Sequence, residues 1–338
     1  MKSHKEQYIG LDEKLKTQNY AGAISQIDSA KERFYKKKER VLYYLDIGML
    51  YHYNREFQKS NEMLTKAENT MDELFTKSIS RAATSILLND NSLEYCGEDY
   101  ENIYVNIFKA LNYLGLDQFD EAFVEIRRID QKLSVLEDKY KKIAKQYNRS
   151  KNKKNNFKTG KSRFQNSALG RYLSLLIYRT ENKLDDARID LNKIKEAWEL
   201  QSSIYNFRMP DFDNYLTENN KVKIDFISFI GRSPEKKAKT LYIHTEDNLL
   251  IIGKTKEISS SKQELSRLDV INWKGIKKGY HFKFQLPYMI KRSSNIGKVK
   301  IFIDDKPELV LQNIESIEEV AFETYKIKEP ITYLKTIT

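Results

Sequence analysis

The chain is poor in the residues that define many functional classes. One cysteine, Cys96, stands among 338 residues. That excludes a disulfide framework within the chain and any multi-cysteine zinc site. There are only 12 Gly and 5 Pro, well under the roughly 12% of average usage. So few breakers exclude collagen-like and low-complexity chains and favour long helices. No run approaches 18 uncharged apolar residues, so no membrane-spanning helix is expected. The opening MKSHKEQYIG has no apolar core of a signal peptide. The four histidines, His4, His52, His244 and His281, have no metal-ligand spacing and sit in no acid–base motif. Neither a metal nor a cofactor is expected, and no catalytic residue is assigned.

Two strings resemble the end of a phosphate-binding loop, Gly160-Lys161-Ser162 and Gly253-Lys254-Thr255. The glycine required five residues earlier is replaced by Asn155 and Asn248, so a nucleotide site is not expected. The acids Asp90, Glu94, Glu98, Asp99 and Glu101 lack calcium-loop spacing. Glu98 to Glu101 instead suit the N-terminus of a helix, whose dipole favours carboxylates.

What is present is aromatic and apolar content enough to exclude global disorder, 12% and 40% respectively, and an uneven charge. The net charge is +11. Residues 141–165 hold ten lysines and arginines and no acid, which leaves +1 for everything else. This stretch reads as a basic insertion whose middle is a loop, with Lys151, Lys153, Lys154, Lys158 and Lys161 as candidate contacts to an anionic surface. Nucleic acid is the less favoured partner, because Tyr147, Phe157 and Phe164 are sparse among the basic residues.

Four segments share one pattern, at residues 4–37, 41–74, 103–136 and 168–201. Each has a helix ending in an aromatic, a turn, an aromatic or Leu, a small residue three positions on, and a large apolar residue four later. The positions are Tyr20, Ala23, Ile27 and Ala30; Phe57, Ser60, Leu64 and Ala67; Phe119, Ala122, Ile126 and Ile129; Leu184, Ala187, Leu191 and Ile194. Small residues let the helices of a hairpin approach closely, and aromatics fill the space between hairpins. On these residues the chain resembles the tetratricopeptide (TPR) family of helix–turn–helix repeats.

After residue 201 a linker is expected over 202–220. A small domain rich in strands follows over 221–338, with strands over 221–230, 239–244, 248–254, 281–286, 298–303 and 309–311. A closing helix is expected over 314–325, broken at Glu329-Pro330. The fold class is therefore α+β: an N-terminal helical solenoid over 1–201, then a smaller β-rich domain with a terminal helix.

Three strings are distinctive: residues 89–101, NDNSLEYCGEDYE; 110–128, ALNYLGLDQFDEAFVEIRR; and 184–190, LDDARID. With the strand-rich end, they resemble an uncharacterised family of bacterial TPR-bearing envelope lipoproteins. The resemblance implies a periplasmic or envelope-associated, non-enzymatic scaffold or adaptor, with flagellar-motor accessory structures among its possible settings; the alternative compartment is the cytoplasm. The concave face of such an array would carry Met49, His52, Tyr53, Tyr104, Ile107, Leu111, Leu169, Tyr172 and Leu176. That apolar face suits a helix or an extended segment, from a protein partner or from the chain itself. The alternative function is a binding module for nucleic acid or anionic lipid through 141–165.

Overall fold

The computed structural model describes residues 6–80, 94–149, 158–212, 215–217, 222–259, 262–304 and 306–337. A helical part comes first: α1 (Leu11–Lys16), α2 (Tyr20–Phe34), α3 (Arg40–Tyr53), α4 (Phe57–Ser80), α5 (Asp99–Leu114), α6 (Phe119–Arg149), α7 (Ala168–Thr180) and α8 (Leu184–Leu200). An antiparallel sheet and a closing helix, α9 (Ile317–Ile337), follow. The protein is thus of mixed α and β structure.

Four turns are copies of one another. Gln18, Arg55, Asp117 and Asn182 take left-handed backbone angles, each two residues before the next helix begins. The following amide reaches back five residues: Asn19 to Lys14, Glu56 to Tyr51, Gln118 to Tyr113 and Lys183 to Tyr178, at 2.8–2.9 Å. A left-handed residue closing a helix this way satisfies its last carbonyls. Three residues into each second helix, Ala23, Ser60, Ala122 and Ala187 are fully buried. Close approach is what makes them small. A Cβ on Gly48, across the hairpin from α4, would stand 2.9 Å from a Leu64 methyl.

The structure corrects four expectations. The supposed loop from residue 141 is helical to Arg149. Leu133, Leu136, Tyr140, Ile143 and Tyr147 fall at alternating spacings of three and four, which is one helix face. The last four of them, Leu136 onward, pack with Ile327 and Ile331 of α9, while Lys141, Lys142 and Lys145 point to solvent. The expected linker is not free either: Ile204, Tyr205 and Phe212 belong to the main core. Residues 222–230, expected as a strand, lie in no strand. And α9 does not break at Pro330 but runs through it.

That last point has a local cause. Proline has no N–H for the carbonyl four residues back and crowds the preceding turn. Gly160 packs against the affected turn, donating its N–H to the Ile327 carbonyl at 3.2 Å. A Cβ there would lie 1.8 Å from the Lys326 oxygen. Burial of Ile327 and Ile331 on α6, either side of Pro330, holds the helix together.

The sheet has the order β3-β2-β1-β4, with β1 (Glu235–Glu246), β2 (Leu249–Ser259), β3 (Lys262–Asn272) and β4 (His281–Ile290), all antiparallel. The sequence reading missed β3, whose charged residues interrupt its apolar ones. A separate hairpin joins β5 (Lys300–Ile303) to β6 (Lys306–Val310). Among the described residues, the sheet meets the helices at one end. There Met289 enters the core, the Tyr325 hydroxyl donates to the Pro287 carbonyl at 3.0 Å, and Lys236 and Lys328 pair with buried Glu98.

The helices also bury a polar cluster. Lys109 on α5 is 2% exposed and lies 2.9 Å from Glu68 of α4 and 3.0 Å from Glu125 of α6. The Asn106 amide donates to both carboxylates, at 3.0 and 2.6 Å. Lys132 reaches Glu68 at 2.7 Å. Arg128 stands 3.4 Å from Glu68 across the helices and 3.6 Å from Glu125, one turn away on its own helix.

Candidate functional site

Residues four apart on a helix share a face. Leu45, Met49 and Tyr53 on α3, and Tyr100, Tyr104 and Phe108 on α5, are so spaced. With Leu169 and Tyr172 of α7 they form one wall of a cleft of about 1830 Å³. The opposite wall is the chain itself: residues between Asn206 and Phe212, Tyr215, Lys223 to Ser233, and Leu309 to Glu318.

Part of the helical face is therefore covered from within. Phe229 stacks on Phe108 with ring centroids 4.9 Å apart. Tyr172 meets Phe212 and Tyr215, its hydroxyl 2.5 Å from that of Tyr215. Both hydroxyls donate to Asp225, at 3.2 and 3.0 Å, and Arg179 forms an ion pair with it. Glu315 gathers the other side. It accepts from the hydroxyls of Tyr104 (2.5 Å), Tyr205 (2.8 Å) and Ser167 (2.8 Å), and from the Leu169 amide (3.2 Å). Burial raises its carboxyl, and these four donors oppose that rise.

Two further carboxyls line the cleft. Burial pushes Asp46 up to about 6, against the hydroxyls of Tyr35 and Tyr8 that donate to it at 2.6 and 2.7 Å. Burial and the nearby Glu98 charge push Glu101 up to about 7. Glu101 accepts from the Tyr95 hydroxyl and from the Glu98 amide, at 2.6 and 2.8 Å. With the reciprocal bond from Glu98 this makes the capping box of α5, the helix-start role expected for these acids.

Of the residues assigned to the concave face, Met49, Tyr53, Tyr104, Leu169 and Tyr172 line the cleft. His52, Ile107, Leu111 and Leu176 lie elsewhere. Ile107 is buried between helices, and Leu111 and Leu176 pack against the same core. The His52 ring turns to α5, with Nδ1 2.6 Å from the Asn112 side-chain oxygen and its ring 5.1 Å from Phe108. Burial lowers its pKa. Val105, Phe108, Phe212, Phe226 and Ile230 line the cleft but were not anticipated.

Of the basic loop, Lys158 and Lys161 are exposed; Lys151, Lys153 and Lys154 lie outside the described residues. The remaining charge is not evenly spread. Residues 235–300 hold fifteen lysines and arginines against six acids. The +1 left after subtracting 141–165 thus divides into +9 on the sheet region and −8 on the rest, which corrects the picture of one basic loop on a neutral body.

Gly253-Lys254-Thr255 lies within β2 and Gly160-Lys161-Ser162 against α9, so neither opens a helix as a phosphate loop does. Among the described residues no group of three or more His, Cys, Asp or Glu is arranged to hold a metal, and no helix is long and apolar enough to cross a membrane. Comparison with protein-family models, with curated proteins and with solved structures finds no match to this chain.

Proposed function

We propose that this protein is a non-enzymatic scaffold whose helical hairpins form a TPR-like array, and whose cleft receives an extended segment of a protein partner. The four copied turns and the four buried small residues support the array. The resemblance of residues 89–101, 110–128 and 184–190 to envelope lipoproteins supports placing it in a bacterial envelope assembly, flagellar-motor accessory structures included.

One observation carries the docking reading. Residues 222–230, VKIDFISFI, run along the cleft without a strand partner among the described residues. Asp225 and Phe229 turn to the helices, while Val222 (90% exposed), Ile224 (72%), Phe226, Ile227 and Ile230 are left exposed. A backbone segment outside any strand, beside an apolar cleft, suits β-strand addition, in which main-chain hydrogen bonds supply affinity and alternate side chains supply specificity.

A photo-crosslinking residue at position 226 should capture a discrete partner in cells, and a control at exposed Val135 on α6 should not. Adding Ile224→Asp or Ser228→Pro to the position-226 probe should abolish the adduct. Equal labelling from both positions, or an adduct that survives both substitutions, would refute the docking site.

A further inference from the structure

The end of the sheet remote from the helices is built differently from its root. Lys236 pairs with Glu98 at the helical end. Thr245 lies nine residues further along β1, roughly 30 Å away at 3.3 Å per residue. There the β1–β2 turn holds the β3–β4 loop rigidly. The Asn248 amide donates to the Ile276 carbonyl at 2.9 Å, the Trp273 amide to Asn248 at 2.8 Å and the Gly279 amide to Thr245 at 3.0 Å. The Thr245 hydroxyl donates to the Lys277 carbonyl at 2.8 Å. Gly275 and Gly279, at φ of 93° and 102°, make the turns of the loop.

This ordered tip presents apolar rings to solvent. Trp273 is 57% exposed, Tyr280 56% and Phe282 47%, with Tyr280 and Phe282 stacked 6.1 Å apart at 8°. Around them stand exposed Lys274, Lys277, Lys278 and Lys283. None of these four lysines forms an ion pair among the described residues, although the acids Glu246, Asp247 and Asp269 lie nearby in the sequence of the turn and strand. The hydrogen-bonded loop therefore presents three exposed aromatic rings flanked by lysines.

We propose that this tip is a contact for the surface of an anionic phospholipid bilayer, into which Trp273, Tyr280 and Phe282 insert at headgroup depth. Trp and Tyr favour that depth because one end of each ring is apolar and the other polar. The lysines add attraction to the anionic leaflet, roughly fivefold in partitioning for each near the surface, falling off within a Debye length. The charge of the region selects an anionic surface over a neutral one. Two features select a bilayer over a single-stranded nucleic acid. Trp273 lies in the β3–β4 loop, outside the row that Tyr280 forms with Phe282 and Phe284 of β4, and exposed Ile271 on β3 adds an apolar side chain that stacks on no base.

The test is sedimentation of the whole chain with vesicles of phosphatidylcholine alone, or with 30% phosphatidylglycerol, at low and high salt. Binding is expected only to the anionic vesicles, and to weaken with salt. Lys274→Gln/Lys277→Gln/Lys278→Gln should lower partitioning about a hundredfold. Lys151→Gln/Lys153→Gln/Lys154→Gln/Lys158→Gln should leave it largely unchanged, which separates the tip from the basic loop. Brominated lipid should quench the wild-type fluorescence and not that of Trp273→Phe, which retains Trp198; this reading does not depend on the lysine variant folding. Equal binding to neutral vesicles, loss of binding only in the 151–158 variant, quenching that survives Trp273→Phe, or binding of a single-stranded oligonucleotide without binding of vesicles would each overturn the proposal. Its failure leaves the cleft reading untouched, since the crosslink at position 226 is read separately.

Discussion

Lys109 offers the sharpest test of the helical packing. The side chain is 2% exposed and is held between Glu68 and Glu125 at 2.9 and 3.0 Å. Lys109→Met keeps the length and most of the volume but removes the cation shared by two buried carboxylates. Glu68 retains Lys132 at 2.7 Å, whereas Glu125 is left with only half-exposed Arg128 at 3.6 Å. Breaking a buried ion pair from one side costs about 3–5 kcal/mol, because an uncompensated charge stays behind. The expected loss for Lys109→Met is therefore about 4 kcal/mol at pH 7, a large part of a domain's stability. Adding Glu125→Gln should recover part of it, since the orphaned charge goes while the amide still accepts from Asn106. Acid unfolding supplies an independent check. Burial raises the Glu68 carboxyl, but Lys132 and Lys109 overcome it and hold the group down to about 2. Its folded value lies below the unfolded 4.5, so its stabilisation is complete above pH 4.5 and is lost as pH falls toward 2. In Lys109→Met that acid limb should be smaller and should end at a higher pH. Urea unfolding followed both by far-ultraviolet dichroism and by Trp198 fluorescence measures the loss and tests whether unfolding is concerted. A loss below about 1 kcal/mol, or no recovery in the double variant, would refute the assignment of the cluster as a charge-balanced core.

Three further outcomes follow from the same kind of reading. Glu101 is pushed up to about 7 from an ordinary 4.5 by burial and Glu98, with Lys328 opposing. A folded value above the unfolded one means stability falls as pH rises from 4.5 to 7, so Glu101→Gln should gain about 3 kcal/mol at pH 8 and nothing at pH 4, at 1.36 kcal/mol per unit; equal effects at both pH values would contradict it. Gly160→Ala places a methyl where a Cβ stands 1.8 Å from the Lys326 carbonyl oxygen, so urea unfolding should show a loss of about 2 kcal/mol, typical of overpacking against a backbone that must shift. Asp225→Ala removes the acceptor shared by Arg179, Tyr172 and Tyr215. Trypsin cleavage at Lys223 and Arg232 should then speed about ten- to a hundredfold, from the loss of a charge-assisted bond of roughly 1.5–3 kcal/mol, and an unchanged rate would show that 222–230 is held some other way.

How far the sequence disclosed this structure depends on the range of the interactions concerned. The turns at Arg55, Asp117 and Asn182, and the small residues three positions into each second helix, are local, and periodicity alone located them. The cleft was half legible. On α5 the sequence from Ile103 to Leu114 is apolar on more than one face, so a face through Ile107 and Leu111 competes with the true one through Tyr104 and Phe108. Only the position of neighbouring hairpins decides between them. The covering segments were not legible as to their seats, because those seats pair residues such as Tyr104 with Glu315, 211 positions apart. Lys109 was overlooked although it carries a signal: it is a lone cation within that apolar run. Its partners on α4 and α6 come from different hairpins and share no spacing. β3 escaped because alternation on a sheet exposed on both sides is weak.

The anchoring of the covering segment also decides how a partner would use the cleft. Displacing residues 222–230 would break the Asp225 contacts with Arg179 and two tyrosines and separate Phe229 from Phe108. At roughly 1.5–3 kcal/mol for the Arg179 ion pair, at least about 1 for each tyrosine bond and about 1 for the ring pair, that costs on the order of 5 kcal/mol or more. A competitor would lose more than a thousandfold in affinity before gaining anything. Binding alongside the segment costs none of this. It also satisfies main-chain groups that have no strand partner among the described residues and covers Ile224 and Phe226. The balance favours addition over displacement, which would make the chain's own segment the inner half of the proposed site rather than its inhibitor.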